Sequence, residues 1–474
     1  MTALRSTNAL KGATCAVLGF GISNRPLVGF LLDCGARVCV RDQKNIEALG
    51  EDAVRMMERG ATFLTGDGYL SGLCEQYIFR SPGLRPDLPE ICEAISRGST
   101  LTSEMELFLE LTPTDVIGVT GSDGKTTTTT LTGLLLSQEY GTRKKGRVFV
   151  GGNIGEPLLP RLSEMTENDL SVVELSSFQL QTMTRSLSRA AVTNLSENHL
   201  NWHHGMGEYI DAKTNIYRHP ENERLVTNAE CELTVSLAKR HSGAVTYFSS
   251  VRTDHTEFAD LLKDGDRAVY CKNGCIVLWD GERETALLEA AEIRLPGKHN
   301  LENYMTAIAL TDGLVSCESI LAVAREFTGV RHRLEPVREL DGVTYYNSSI
   351  DSSPTRTAAA LSAMEKRPIV ICGGRNKGLD FAPLADALCE HAKAVILTGE
   401  AANEIKEALK GREAVLSGVL PVWHELKFED AVCRSRRIAE SGDVVLLSPS
   451  CTSFDAFQNF EERGDTFCRI VKEW

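Results

Sequence analysis

The sequence lacks long hydrophobic runs. Within its 474 residues, no apolar stretch approaches the ~18 residues that a membrane-spanning helix requires. Residues 1–11 also lack the apolar core of a secretory signal peptide. We therefore expect a cytoplasmic protein that neither crosses nor binds a membrane.

Positive charge is also in short supply. Lys and Arg total 51 against 65 Asp and Glu, which leaves a formal net charge of −14. A general nucleic-acid binder needs a net or clustered positive field, so this balance argues against that class and against an anionic membrane partner. It permits an anionic small-molecule substrate, provided that the binding site is locally basic.

A disulfide framework is missing as well. The 14 cysteines show no regular spacing, so we expect them to be reduced and mostly buried. Cys271 and Cys275 are the nearest approach to a metal-binding pair, but no second pair accompanies them. Asn273 and Gly274 stand between two apolar runs, which predicts a β-hairpin rather than a metal site.

What the sequence does contain is a regular alternation of short apolar runs with helix-like stretches. Compact runs bounded by Gly, Asp or Ser predict strands that are buried on both faces of parallel sheets. These runs lie at residues 17–18, 38–40, 116–119, 172–173, 369–371, 394–397 and 444–447. Their alternation with helices predicts βαβ units and an α/β fold.

The length favours three domains. A first boundary is predicted near Ser103, before the strand that leads into a glycine-rich loop. A second is predicted near Val330, after which a new series of strand–helix units begins. The predicted domains are residues 1–103, 104–330 and 331–474, and residues 247–292 form an excursion of β character within the middle one.

The strongest functional motif is residues 118–127, which read GVTGSDGKTT. An apolar strand runs into a glycine-rich turn and then into a helix, so that backbone N–H groups and the helix N-terminus face a phosphate. In such a loop Lys125 reaches the β- and γ-phosphates, and the Thr126 hydroxyl takes a magnesium ligand position. Val119 stands where the usual motif has its first glycine. Because Gly-Lys-Thr occurs in many nucleotide hydrolases, the motif alone indicates an ATP or GTP phosphate.

Three further side chains in the middle region are candidates for the same site. Glu174 ends an apolar strand, from which a carboxylate can reach a nucleotide-bound magnesium. His199 lies in a polar stretch and is as consistent with a metal or phosphate contact as with an ordinary histidine. Lys213 falls on the apolar stripe of a predicted helix, where a buried ammonium needs a partner. It extends to solvent, pairs with Glu208 or Asp211, or carries a carbamate that acts as a metal ligand.

The N-terminal region begins with another glycine turn. Residues 15–24 read as a strand followed by this turn, and Asp42 ends the next strand. This pattern predicts a Rossmann-type cradle for a phosphate or nucleoside. Asn24 stands where a dinucleotide fingerprint has its third glycine, so the pattern does not establish that the ligand is NAD. A tight strand-to-helix turn without a ligand is the alternative.

Basic side chains cluster at predicted strand ends in the last third of the chain. Arg331 and Arg333 precede its first strand, and Arg375 and Lys377 follow a later one. Ser453 follows the last strand and is predicted to open a helix. Ligands lie beyond the carboxyl ends of parallel strands, so hydroxyls with Arg and Lys at this edge would suit a small dicarboxylate. A plain helix N-cap at Ser453 is the alternative.

Taken together, these residues resemble the Mur ligase family over nearly the whole chain. The resemblance is carried by residues 120–127, 152–155, 174–180, Lys213, residues 297–300 with Asn303, residues 328–333 and residues 453–464. The last segment resembles the members that add D-glutamate. The family implies an N-terminal Rossmann-like domain for a UDP-sugar, a central P-loop ATPase domain with a parallel sheet, and a C-terminal Rossmann-like domain for the amino acid.

The resemblance implies a role for individual residues. ATP would be bound by Gly121, Ser122, Asp123, Gly124, Lys125, Thr126, Thr127, Asn300, Asn303, His332 and Arg333. The UDP-sugar would be bound by Gly19, Phe20, Gly21, Ile22, Ser23, Asp42 and Asn153. D-Glutamate would be bound by Ser352, Lys377, Ser453 and Phe460. Two Mg²⁺ ions would be held by Thr126 and Glu174, and by His199 and a carbamoylated Lys213; Lys125, His199 and Lys213 would be the catalytic residues.

The resemblance also implies an activity. We expect an ATP-dependent ligase that adds D-glutamate to UDP-N-acetylmuramoyl-L-alanine through an acyl phosphate, in peptidoglycan precursor synthesis. These small molecules would be its partners, with no nucleic acid, and it is expected to be a monomer. Another Mur-type ligase, a folylpolyglutamate-type ligase and a nucleotide-sensing regulator are the alternatives. Residues 347–349 read Asn-Ser-Ser where the family pattern has Asn-Asp-Ser, which makes Asp351 a candidate substitute near the nucleotide.

Overall fold

The computed structural model describes residues 7–143, 145–200, 202–295, 297–362, 364–376 and 378–474. The chain divides into two compact units, Met1–Phe327 and Thr328–Trp474. In the described residues the first unit holds two β-sheets and the second holds one, and most strands are parallel and alternate with helices. The predicted α/β class is therefore confirmed, while the domain boundaries at residues 103 and 330 stay predictions.

The first sheet is built from the N-terminal elements. These are β1 (Thr14–Leu18), α1 (Asn24–Asp33), β2 (Arg37–Asp42), α2 (Ile46–Leu49), α3 (Glu51–Glu58), β3 (Thr62–Thr65), β4 (Tyr77–Arg80), α4 (Pro89–Ser96), β5 (Thr100–Thr102) and α5 (Glu104–Leu111). The parallel strands have the order β3-β2-β1-β4-β5. Because the order reverses between β1 and β4, their carboxyl ends frame a crevice of the kind in which α/β sheets bind ligands.

The second sheet follows in the same unit. Its elements are β6 (Asp115–Thr120), α6 (Lys125–Thr142), β7 (Val148–Gly152), β8 (Leu170–Glu174), α7 (Ser177–Leu180), β9 (Arg189–Val192), α8 (Met206–Thr214), β10 (Arg224–Asn228), α9 (Glu232–Ala238), β11 (Ala244–Ser249), β12 (Arg267–Lys272), β13 (Cys275–Trp279), β14 (Glu284–Glu289), α10 (Lys298–Leu310) and α11 (Cys317–Glu326). The order is β14-β13-β12-β11-β10-β9-β6-β8-β7. The interior strands β6 and β8 are buried almost throughout, which is why they read as continuous apolar runs.

The predicted β excursion within this sheet is present as two antiparallel pairings. β12 pairs with β13 and β13 with β14, whereas the strands from β7 to β12 are parallel. Asn273 and Gly274 both have positive φ, 53° and 82°, as the hairpin turn between β12 and β13 requires. The hairpin prediction is confirmed.

The second unit contains the third sheet. Its elements are β15 (Glu335–Leu340), β16 (Val343–Asn347), α12 (Pro354–Ser362), β17 (Ile369–Gly373), α13 (Ala382–His391), β18 (Ala394–Thr398), α14 (Ala402–Leu409), α15 (Glu413–Leu416), β19 (Val422–His424), α16 (Phe428–Ile438), β20 (Val444–Ser450) and α17 (Phe460–Glu473). The order is β15-β16-β20-β17-β18-β19, with only β15 antiparallel to its neighbour in the described part. The loops after β16, β17, β18 and β20 therefore meet at one edge.

The prediction that Ser453 opens a helix, or caps one, is wrong. Residues after Ser453 form a turn, in which the N–H groups of Ala456 and Phe457 donate to its carbonyl oxygen. Helix α17 begins only at Phe460, and the Asn459 side chain caps it by accepting from the Glu462 N–H at 2.7 Å. As for membranes, each helix in the described ranges is too short or too polar to span a bilayer.

Candidate active site

The phosphate-loop motif lies where β6 ends, between β9 and β8 in the second sheet. Gly121 has φ 147°, and a Cβ there would lie 1.9 Å from the Thr193 hydroxyl oxygen. Gly124 has φ 77°, and its Cβ would lie 2.5 Å from the Asn303 side-chain oxygen. Only glycine satisfies both the backbone conformation and the space at these two positions. Helix α6 begins at Lys125, so the helix N-terminus adjoins the loop.

The loop is anchored by residues that the sequence did not single out. The Ser122 hydroxyl lies 2.8 Å from the Tyr209 hydroxyl and accepts the Ser196 N–H at 2.9 Å. The Asp123 N–H donates to the Asn194 side chain at 2.9 Å. Asn194 and Ser196 follow β9, and the short apolar run over residues 190–192 is the sequence pattern that could have located this strand and the residues after it. These hydrogen bonds hold the phosphate loop in one conformation.

A carboxylate faces the start of α6. Glu174 is 2% exposed at the end of β8. One of its oxygens accepts the Thr126 hydroxyl at 2.8 Å, and the other accepts the Asn153 amide at 2.8 Å. The Lys125 ammonium donates to the Ser122 carbonyl oxygen at 2.8 Å. The structure therefore brings together Lys125, Thr126 and Glu174, and it places Asn153 beside them; the hydroxyl and carboxylate oxygens are the hard ligands that Mg²⁺ prefers.

Lys213 lies beneath the same loop. Its side chain is buried, and its ammonium donates to the Gly121 carbonyl oxygen at 2.7 Å and to the Thr120 hydroxyl at 3.2 Å. The alternatives of a solvent-exposed amine and of a salt bridge to Glu208 or Asp211 are therefore wrong. Burial, aided by the charge of nearby Lys125, lowers the pKa of Lys213 well below its ordinary range.

His199 lies in the loop before α8. Its backbone has φ 57°, in the left-handed region that residues other than glycine seldom adopt. Its ring packs against Phe178, with centroids 4.9 Å apart. His203, four residues on, is buried and lies 2.9 Å from the Ser177 hydroxyl, and burial lowers its pKa. The Ser177 hydroxyl thus holds the His203 ring in place.

The predicted ATP contacts divide between the two units. Asn300 and Asn303 are buried on α10, where Asn303 accepts the Thr128 hydroxyl at 3.2 Å and donates to Asn300. His332 and Arg333 belong to the second unit. His332 is buried, accepts the Asn347 amide at 2.9 Å, and has its pKa lowered by burial. Arg333 is exposed.

The N-terminal glycine turn follows β1 as predicted. Gly19 has φ 86°, and the Phe20 N–H donates to the Asp42 carboxylate at 2.7 Å. Asn24, in place of the third glycine, donates to the carbonyl oxygens of Leu18 and Gly19 and so stabilises the turn. Beyond it, the predicted UDP-sugar residues Gly21 and Ile22 are exposed and Ser23 is half-buried.

The predicted amino-acid residues that the structure describes lie at the carboxyl edge of the third sheet, on two loops and at the start of α17. Ser453 is buried in the turn after β20, and the half-buried Ser352 lies after β16. The Phe460 ring packs edge-on against His332, with centroids 5.9 Å apart. Lys377 lies outside the described residues. The Asp351 carboxylate is buried and accepts the Ser448 hydroxyl at 2.8 Å, so it braces this edge from within.

Sequence reasoning missed Arg463 in this region. It is buried on α17, and its guanidinium donates to the hydroxyl and carbonyl oxygens of Ser349 and to the carbonyl oxygen of Cys451. Ser349 in turn donates to the Phe460 carbonyl oxygen at 2.8 Å. Arg463 thus ties together the loops after β16 and β20. It also lines a cleft of about 220 Å³ beside Gly374 and Asp455.

Comparisons with known proteins agree with this arrangement. A family model described as the Mur ligase middle domain matches residues 119–311, and one described as the Mur ligase glutamate ligase domain matches residues 332–451. The UDP-N-acetylmuramoylalanine–D-glutamate ligase of Clostridium novyi is 44% identical over 98% of this chain and 97% of its own length. The enzyme of the same name from Ruminiclostridium cellulolyticum is 42% identical over the same shares.

Solved structures share the fold at low sequence identity. The murein peptide ligase Mpl from Psychrobacter arcticus superposes with a TM-score of 0.52 at 15% identity, covering 98% of this chain and 99% of that one. MurF from Acinetobacter baumannii gives a TM-score of 0.54 at 16% identity, covering 98% and 92%. With both domain models matched and whole-length relatives above 40% identity, the chain belongs to the Mur ligase family.

Proposed function

We propose that the chain is an ATP-dependent ligase that joins D-glutamate to UDP-N-acetylmuramoyl-L-alanine, in the synthesis of peptidoglycan precursors. The observation that carries the proposal is the cluster at the carboxyl end of β6, where Lys125 and Thr126 of the phosphate loop lie beside the carboxylate of Glu174. The names and whole-length similarity of the relatives support the choice of substrates. The enzyme as proposed is a cytoplasmic monomer with three small-molecule substrates.

The chemistry begins at a carboxylate, which is a poor acyl donor. One carboxylate oxygen of the UDP-sugar peptide attacks the γ-phosphorus of ATP in line, and the bond to ADP breaks. Lys125 offsets the charge on the transferring phosphoryl group, and the backbone N–H groups of residues 124–126, at the start of α6, orient it. The neutral amine of D-glutamate then attacks the acyl carbon and loses a proton. Phosphate leaves with the former carboxylate oxygen, and an amide remains.

Magnesium fits the residues present. Thr126 and Glu174 would hold a first ion, since they already offer a hydroxyl and a carboxylate oxygen 2.8 Å apart. A divalent ion there would neutralise charge on the phosphates. His199 and Lys213 would hold a second ion, provided that Lys213 is carbamoylated. A buried, neutral amine can add CO₂ and release a proton, which yields a carboxylate-like ligand, but it must first give up its hydrogen bond to Gly121.

The remaining substrates would occupy the other sheet edges. We propose that residues 1–103 bind the UDP-sugar through the loop at residues 19–23 and Asp42, with Asn153 contributing from the middle region. Residues 104–330 would bind ATP through residues 121–127, Asn300 and Asn303. Residues 331–474 would add His332 and Arg333 to the ATP site and would seat D-glutamate with Ser352, Lys377, Ser453 and Phe460.

Phosphate release from ATP tests the proposal. The enzyme is supplied with UDP-N-acetylmuramoyl-L-alanine and, in separate reactions, with D-glutamate, L-glutamate, L-lysine or diaminopimelate. We expect release only when the UDP-sugar and D-glutamate are both present. Release with another amino acid would assign a sibling activity on the same fold. ATP binding without release under any pairing would contradict the ligase and favour a nucleotide-sensing regulator.

A further inference from the structure

Two loops of the first unit are joined by a network centred on Arg85, which follows β4. Its guanidinium makes a two-pronged contact with the Asp87 carboxylate at 2.8 and 2.8 Å and donates to Glu208 at 2.9 Å. It also stacks over the Trp202 ring at 4.9 Å and donates to the Trp202 carbonyl oxygen. His204 completes the group through Asp87, at 2.8 Å. We call these residues the Arg85 clamp: Arg85, Asp87, Trp202, His204 and Glu208.

The clamp continues toward His199 through aromatic rings in edge-on and tilted contact. The Phe178 ring lies 4.7 Å from the Trp202 ring and 4.9 Å from the His199 ring. Arg80, at the end of β4, fixes Phe178 by donating to its carbonyl oxygen at 2.7 Å. The proposed metal ligand His199 is thus supported on one side by residues that come from the N-terminal sheet.

The backbone of His199 needs such support. Its left-handed conformation, φ 57°, is unfavourable for a residue other than glycine. The N–H groups of Trp202 and His203 close a turn on the His199 carbonyl oxygen, each at 3.0 Å. Trp202 is therefore fixed both to the turn that contains His199 and to Arg85. A strained turn at a site is maintained only where its surroundings over-determine it.

The other end of the network reaches the glycine turn of the first sheet. The Trp202 indole N–H donates to the Gly83 carbonyl oxygen at 2.9 Å. Two residues earlier, the Ser81 N–H donates to Leu18 at 3.0 Å, and the Ser81 Cβ lies 3.1 Å from where a Cβ of Gly19 would stand. The short loop over residues 81–85 therefore contacts both the predicted UDP-sugar turn and the loop that carries His199.

We propose that Arg85 is a positioning residue that holds the His199 loop in its metal-binding conformation and links it to the nucleotide-sugar turn. The inference rests on the proposed function, because that function makes His199 a metal ligand. Arginine is required by the geometry: one planar guanidinium serves Asp87, Glu208, the Trp202 carbonyl oxygen and the Trp202 ring face, which a lysine ammonium cannot do. The side chains of Arg85 and Glu208 are only 18% and 21% exposed, so water competes weakly for these contacts.

Metal binding tests the proposal without requiring turnover. Mn²⁺ replaces Mg²⁺ as the probe, and electron paramagnetic resonance counts bound ions in the presence of ATP. We compare wild type with Arg85→Met, with Arg85→Lys and with the control Arg97→Met, whose residue makes an exposed ion pair with Glu93 on α4. We expect Arg85→Met to weaken one Mn²⁺ site by about tenfold or more, as losses of groups that orient metal ligands do. Arg85→Lys should weaken it less, and Arg97→Met should match wild type.

A second readout follows the loop itself. Hydrogen exchange over residues 197–206 should speed up in Arg85→Met and stay unchanged in Arg97→Met. The KM for the UDP-sugar should change in Arg85→Met, whereas the KM for D-glutamate should not. Wild-type Mn²⁺ affinity and exchange in Arg85→Met would overturn the proposal; if that variant does not fold, the same result in Arg85→Lys would overturn it. Absence of D-glutamate-dependent turnover in wild type would instead contradict the proposed function, and the Mn²⁺ titration would still decide the role of Arg85.

Discussion

The phosphate loop and the carboxyl edge of the third sheet are built in different ways. The phosphate loop is one contiguous segment, in which Gly121, Lys125 and Thr126 stand within six residues. The third-sheet edge brings Ser352, from the loop after β16, together with Ser453 and Phe460, which belong to the turn after β20 and the start of α17 in a distant part of the chain. In the first region local sequence dictates the geometry, whereas in the second a buried arginine and the sheet order do so. We therefore expect damage to the first to abolish phosphoryl transfer and damage to the second to alter stability or amino-acid affinity.

The largest expected effect is at the phosphate loop. Lys125→Ala should lower kcat by about a thousandfold, or about 4 kcal/mol in the barrier, because it removes the ammonium that offsets phosphoryl charge. Steady-state phosphate release measures this. Lys145→Ala, which removes an exposed lysine beyond α6, is the control. A near-normal kcat in Lys125→Ala would show that the phosphate loop does not take part in phosphoryl transfer.

The next effect concerns the third sheet. Arg463→Met should lower the free energy of unfolding of the second unit by about 3 kcal/mol, because buried oxygens of Ser349 and Cys451 lose their donor. Chemical denaturation with hydrogen exchange by unit measures the loss. Arg469→Met, on an exposed side of the same helix, should be neutral. Equal stability of the two variants would show that Arg463 does not hold this edge together.

A pH effect is expected in the first unit. Glu104 is buried at the start of α5, and burial raises its pKa to about 7. A raised carboxyl pKa gives stability that is complete at low pH and is lost as pH rises through the folded pKa. Stability of the first unit should therefore fall by about 2 kcal/mol between about pH 5 and about pH 7 from this group. Glu104→Gln should remove that slope in denaturation curves, and the exposed Glu90→Gln should not; an identical slope in both would exclude Glu104 as its source.

The smallest effect is on amino-acid binding. Ser453→Ala should raise the KM for D-glutamate by about tenfold, or about 1.4 kcal/mol, through one lost hydrogen bond to a carboxylate. The KM for ATP should not change. The exposed Ser362→Ala on α12 is the control. A change in the KM for ATP alone would mean that the third-sheet edge serves the nucleotide instead.

These contrasts also explain what the sequence could predict. Buried parallel strands read as continuous apolar runs, so these runs predict β6, β8, β17 and β20, and Gly121 and Lys125 predict the phosphate loop. Sequence reasoning placed the start of α17 too early because Ser453, which begins a turn, and Asn459, whose side chain caps the helix, are both ordinary N-cap residues. Tyr209, Arg463 and Arg85 were missed since their roles depend on partners distant in sequence, which no local pattern indicates.

The central claim is that ATP activates a carboxylate at the phosphate loop before the amine attacks. Its most direct test is to label the carboxylate oxygens of UDP-N-acetylmuramoyl-L-alanine with ¹⁸O and to analyse the phosphate released during turnover with D-glutamate. Because a carboxylate oxygen attacks the γ-phosphorus and leaves with it, every released phosphate should carry one labelled oxygen. Amide product accompanied by unlabelled phosphate would contradict the account.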